Sequence, residues 1–137
     1  MYELKIISQF AAAHQLRGIQ GGCENLHGHN WKIEVYVAGD HTDAAGVLLD
    51  FGAIKKHVRA IMSMLDHKYL NDLEFFQQNQ PSSENIAYFV ATEMQKRIAD
   101  QSARVSRVTA WESDDASASY MEAQSGAPGT PPPTETP

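Results

Sequence analysis

From residue 2 to residue 14 the chain alternates. Tyr2, Leu4, Ile6, Phe10, Ala12 and His14 share one parity, while Glu3, Lys5 and Gln9 take the other. Period-two alternation marks a strand with one buried face. Residues 15–26 hold Gly18, Gly21 and Gly22 and keep no period. They read as a long loop, a feature that in a compact domain usually carries function. Alternation resumes over 27–38, with His27, His29, Trp31, Ile33, Val35 and Val37 on one face and Asn30, Lys32 and Glu34 on the other. Gly39-Asp40 ends this second strand, and 40–46 read as a loop.

The period then changes. Asp50 is placed to cap a helix that starts at Phe51, and Phe51, Ile54, Val58, Ile61 and Leu65 recur at helical spacing. Residues 66–81 are less regular. Pro81-Ser82-Ser83-Glu84 reads as a second helix start, with a Ser cap and an acid in the first turn. Ile86, Val90, Met94 and Ile98 continue its apolar stripe. Two strands are expected at 104–112 and 116–123, joined by a Ser113-Asp114-Asp115 turn. The order β-β-α-α-β-β predicts an α+β domain: one four-stranded antiparallel sheet with two helices on one face.

Composition narrows the function. A chain of 137 residues with 42% hydrophobic content is one domain with a real core. Residues 1–123 form that domain in this reading. The tail, 124–137, holds five of the six prolines and no large apolar side chain, so disorder is expected there. A net charge of −6 argues against binding nucleic acid or an anionic membrane. The single cysteine rules out an internal disulfide, and with no basic start or apolar run at residues 1–5 a cytoplasmic location is expected. No apolar run approaches the roughly 20 residues of a membrane helix.

The chemistry concentrates in a few places. His27 and His29, two apart on a strand, project to the same side. Gly28 leaves no side chain between them. His14 ends the first strand on its apolar parity, and a hairpin would bring it to the same point. Three neutral imidazoles with an open fourth position suit a catalytic zinc ion. The alternative is packed or surface histidines. Cys23 sits in the glycine loop beside Gly22 and Glu24, a poor place to bury a thiol. Near a cation its pKa would fall, making it a general base or a nucleophile. Asp66-His67 follows the first helix, either as a carboxylate that fixes an imidazole for proton transfer or as a favourable helix end. Glu112 closes a strand, either as a solvated acid or as a two-point acceptor for a guanidine-like edge.

Six blocks resemble one family in order and spacing. They are Phe10-Ala-Ala-Ala-His14, Cys23-Glu-Asn-Leu-His27-Gly-His29-Asn-Trp31, Val47-Leu-Leu-Asp50-Phe51, Leu65-Asp66-His67-Lys-Tyr-Leu70-Asn71, Pro81-Ser-Ser-Glu84-Asn85-Ile-Ala87 and Glu112-Ser113. Together they resemble the 6-pyruvoyltetrahydropterin synthase superfamily over about residues 3–122. The resemblance implies a tunnelling fold, trimers whose sheets close into a barrel, and a homohexamer of two trimers with active sites between subunits. It implies zinc on His14, His27 and His29, and a catalytic triad of Cys23, Asp66 and His67. It also implies Glu112 as the anchor of a pterin ring and Ser82 and Ser83 as substrate contacts, where relatives commonly carry threonine. Three residues separate Cys23 from His27. That short gap resembles the bacterial 6-carboxytetrahydropterin synthases of queuosine biosynthesis, which act on 7,8-dihydroneopterin triphosphate. The alternatives are a sister enzyme that stops at the 6-pyruvoyl product and a zinc- or pterin-binding module without catalysis.

Overall fold

The computed structural model describes residues 1–17, 25–99 and 101–122. Two long strands, β1 (Tyr2–His14) and β2 (His27–Gly39), form an antiparallel hairpin that stays in register along its whole length, from Tyr2↔Gly39 to His14↔His27. Helix α1 (Phe51–Leu65) begins where the Asp50 carboxylate accepts from the Ala53 N–H at 3.0 Å, a cap worth about 1 kcal/mol. Its buried stripe is Ile54, Val58, Ile61, Met62 and Leu65.

The stretch after α1 is more ordered than its sequence suggests. It holds a two-residue strand β3 (Lys68–Tyr69), a 3-10 turn (Leu70–Asp72) and a short helix α2 (Glu74–Gln78). Helix α3 (Ser83–Arg97) follows, with the Ser82 hydroxyl accepting from the Asn85 N–H at 3.2 Å. Strands β4 (Arg104–Ser113) and β5 (Ala116–Met121) close the chain.

The sheet order is β3-β1-β2-β4-β5. The four long strands are antiparallel, as expected, but the sheet has five strands and is mixed. β3 pairs parallel to the outer edge of β1, Ala12 with Lys68 and Ala13 with Tyr69. Two residues have no period to read, so this strand is invisible in the pattern. α1 packs on β1, and α3 packs on β4 and β5. Beneath them lie Ile6, Phe10, Trp31, Ile33, Val35, Val108 and Ala110. This is the expected α+β architecture, with α2 as a third helix beyond the expected two.

Candidate metal centre and proton-transfer pair

The core face of the sheet runs on into a polar cluster. On β1 the inward residues are Phe10, Ala12 and His14; on β2 they are Ile33, Trp31, His29 and His27; on β4 they are Val108, Ala110 and Glu112. Strand register brings the three ends together. His14 lies opposite His27 and Ala12 opposite His29, while Lys32 pairs with Trp111, one residue from Glu112. Trp31, fully buried, floors the cluster, with its ring edge-on to His14 at 5.2 Å and to His29 at 5.4 Å.

Two backbone carbonyls orient the rings. The Pro81 carbonyl lies 2.7 Å from His14 Nδ1 and the Asn25 carbonyl 2.6 Å from His27 Nδ1. A carbonyl only accepts, so each Nδ1 donates. The neutral ring then presents a bare Nε2. Those two Nε2 atoms stand 3.1 Å apart. Bare lone pairs this close repel unless a cation lies between them. Ligands at about 2.0–2.1 Å from a tetrahedral zinc ion are separated by roughly 3.3 Å. His14, His27, His29 and Glu112 each offer a ligand atom within 4.8 Å of the others. The donor set therefore fits a metal ion, and the carbonyl partners are the kind that fix metal-binding histidines. Glu112, expected only at a substrate ring, joins this cluster.

The Asp66–His67 pair is built differently. Asp66 ends α1, and the chain turns at His67, whose φ of 58° is the left-handed region. The turn is pinned to Ala11 from both sides. The Asp66 Oδ1 accepts from the Ala11 N–H at 2.9 Å, and the His67 N–H donates to the Ala11 carbonyl at 2.6 Å. That fixed backbone sets Asp66 Oδ2 2.9 Å from His67 Nδ1, so these neighbours do touch through their side chains. The hydrogen bond from Ala11, aided by His67, holds the Asp66 carboxyl below its ordinary range despite some desolvation. His67 lies beyond the helix, with its side chain 82% exposed.

Ser82 serves as the α3 cap, and Ser83 is half-buried at the first position of that helix. Cys23 lies outside the described residues, as does the tail. The chain leading towards Cys23 is held by two side-chain amides that the sequence reading missed. Asn71 accepts from the Gln15 N–H at 2.9 Å and donates to its carbonyl at 2.7 Å; Gln80 makes the same pair of bonds to Arg17. No spacing rule announces such amide clamps. Also missed was Glu34, buried on the sheet's other face. It accepts from Trp111 Nε1 at 2.5 Å and the Tyr36 hydroxyl at 3.0 Å, with Lys5 Nζ at 3.3 Å. Burial alone would raise its pKa, but these partners together hold it below the usual carboxylate value.

Comparison with known proteins agrees with this architecture. A family model described as 6-pyruvoyl tetrahydropterin synthase matches residues 3–123. A Synechocystis protein named 6-carboxy-5,6,7,8-tetrahydropterin synthase is 37% identical over 92 residues, covering 64% of this chain and 70% of its own. A human 6-pyruvoyl tetrahydrobiopterin synthase is 33% identical over 96 residues, covering 67% and 66%. The solved structure of the Caenorhabditis elegans 6-pyruvoyl tetrahydropterin synthase superposes with a TM-score of 0.79 at 25% identity, covering 89% of this chain and 96% of that one.

Proposed function

The chain belongs to the 6-pyruvoyl tetrahydropterin synthase family, and from that premise we propose that it is a 6-carboxytetrahydropterin synthase. It converts 7,8-dihydroneopterin triphosphate and one water to 6-carboxytetrahydropterin, acetaldehyde and triphosphate, a step towards queuosine. The observation that carries this reading is the convergence of His14, His27 and His29 at one end of a sheet whose outer edge also carries the Asp66–His67 pair. The carboxy product is favoured by the three-residue gap between Cys23 and His27 and by relatives of that name, Synechocystis among them. The human relative, named for the pyruvoyl product, keeps the sister activity as the second reading.

His14, His27 and His29 hold the metal, which we assign as zinc. When bound, zinc supplies Lewis-acid polarisation of the substrate's side-chain hydroxyls. Glu112 accepts two hydrogen bonds from the 2-amino and N3 edge of the pterin and sets its orientation. Cys23, as thiolate, removes or returns a proton at the side-chain carbon next to the ring. Asp66 keeps His67 Nδ1 protonated, which leaves Nε2 to exchange a proton with the neighbouring oxygen. Ser82 and Ser83 lend hydroxyl contacts at the α3 end. The exposed His67 fits an active site completed between subunits of a homo-oligomer, expected as a hexamer of two trimers. No helix among the described residues is long and apolar enough to cross a membrane.

A product assay tests the proposal. Incubated anaerobically with 7,8-dihydroneopterin triphosphate, the zinc-loaded protein is expected to release acetaldehyde together with the carboxy pterin. The pyruvoyl pterin without acetaldehyde would assign the sister activity instead.

A further inference from the structure

Glu112 leaves β4 where that strand loses its neighbours. The β2–β4 ladder ends at Lys32↔Trp111, one residue short of Glu112. On the other side β4 slips register against β5: Trp111 pairs with Ser117 and Ser113 with Ala116, which leaves Glu112 as the extra residue. A bulge of this kind re-aims a side chain but does not by itself hold it. The last fixed point before Glu112 is Trp111.

Successive strand residues face opposite ways, so Trp111 projects from the face that carries Glu34. Its Nε1 donates to Glu34 Oε1 at 2.5 Å, and Lys32 Nζ lies 5.4 Å from the centre of its ring. The hydrogen bond runs diagonally across the ladder, since Glu34 itself pairs with Thr109. Glu34 is a firm anchor for it. The carboxylate is buried, accepts from the Tyr36 hydroxyl at 3.0 Å and has Lys5 Nζ at 3.3 Å. A hydrogen bond to an ionised acceptor is about twice as strong as one between neutral groups. We propose that Glu34 and Trp111 are positioning residues: their hydrogen bond holds the end of β4 so that Glu112 meets the pterin edge in the right plane. This rests on the ring-anchor reading of Glu112 above. Two parallel hydrogen bonds to a planar edge need a carboxylate set in advance, and a carboxylate that must first be ordered binds more weakly. The metal has no such dependence, because its histidines stand on β1 and β2 and are oriented by Pro81 and Asn25.

The test reads neopterin affinity by calorimetry on the zinc-loaded full chain, with zinc per chain and urea unfolding measured beside it. Trp111→Phe and Glu34→Leu each remove the hydrogen bond. Each is expected to weaken neopterin binding about tenfold, inside the range of couplings within one network, while zinc per chain stays at the parent value. Glu34→Gln keeps an acceptor oxygen for the indole. It loses stability with the charge, yet its neopterin affinity should stay within about twofold of the parent, the scatter of uncoupled sites. Unchanged affinity in Trp111→Phe or in Glu34→Leu would overturn the proposal. So would an affinity loss in all three variants that follows their loss of stability, which is what a merely structural role produces. A parent that binds no neopterin, or Glu112→Gln binding it as tightly as the parent, would overturn the ring anchor itself.

Discussion

The histidine cluster and the Asp66–His67 pair lie on opposite sides of β1. The cluster forms on the hairpin side, on the face covered by helices, and its His14 ring is 2% exposed. The pair docks on the opposite edge of β1, next to its pairing with β3, with the His67 side chain 82% exposed. Both are held by backbone groups: Pro81 and Asn25 for the rings, Ala11 for the pair. The difference lies in what surrounds them. A metal site gains from a dry, fixed donor set assembled before the ion arrives. A proton-transfer group standing in solvent has its backbone fixed but no walls, and needs another surface to exclude water. In the proposed function, one chain supplies all three histidines of the metal site but leaves the Asp66–His67 pair open to solvent.

Substitutions should separate the two regions. The largest effect is expected for His14→Ala, which removes a ligand and leaves a cavity beside Trp31. Metal content should fall to background and turnover with it, by metal analysis and product assay. Cys23→Ala comes next, with turnover abolished and bound zinc unchanged; near-normal turnover would refute its assigned role. Asp66→Asn should keep an acceptor for the Ala11 N–H while disfavouring the His67 Nδ1 proton. Turnover should drop by about 10²- to 10⁴-fold, the range of general acid–base catalysis, with zinc content intact. Ser82→Ala removes the α3 cap and should cost about 1 kcal/mol in denaturant unfolding.

The smallest expected effect is on acid stability, and it belongs to the sheet's other face. The folded pKa of Glu34 lies below its ordinary 4.5. Its contribution is therefore present above that value and is lost as pH falls through the folded pKa. Glu34→Gln should lower stability above pH about 4.5 and flatten the acid limb of a stability–pH profile, so that parent and variant converge as pH falls.

Parity along β1 and β2 was enough to put His14, His27 and His29 on one face, because a continuous hairpin preserves it. The cap residues Asp50 and Ser82 were legible for the same local reason. Glu112 was not, since its position depends on the β2–β4 register and on a bulge, both set by tertiary pairing. The contact between Asp66 and His67 depends on a left-handed turn held by Ala11, 55 residues away in sequence from Asp66. Pattern alone leaves the pair open between a carboxylate-fixed imidazole and a helix end; the family resemblance points to the first. β3 and the amide clamps on Gln15 and Arg17 follow from the same docking and carry no periodic signal.

The central claim is that the three histidines hold a zinc ion on which turnover depends. Zinc per chain and turnover of 7,8-dihydroneopterin triphosphate should be measured before chelation, after chelation and after zinc is restored. The account predicts about one zinc per chain, loss of turnover on removal and recovery on return. Full turnover by the metal-free protein would contradict it.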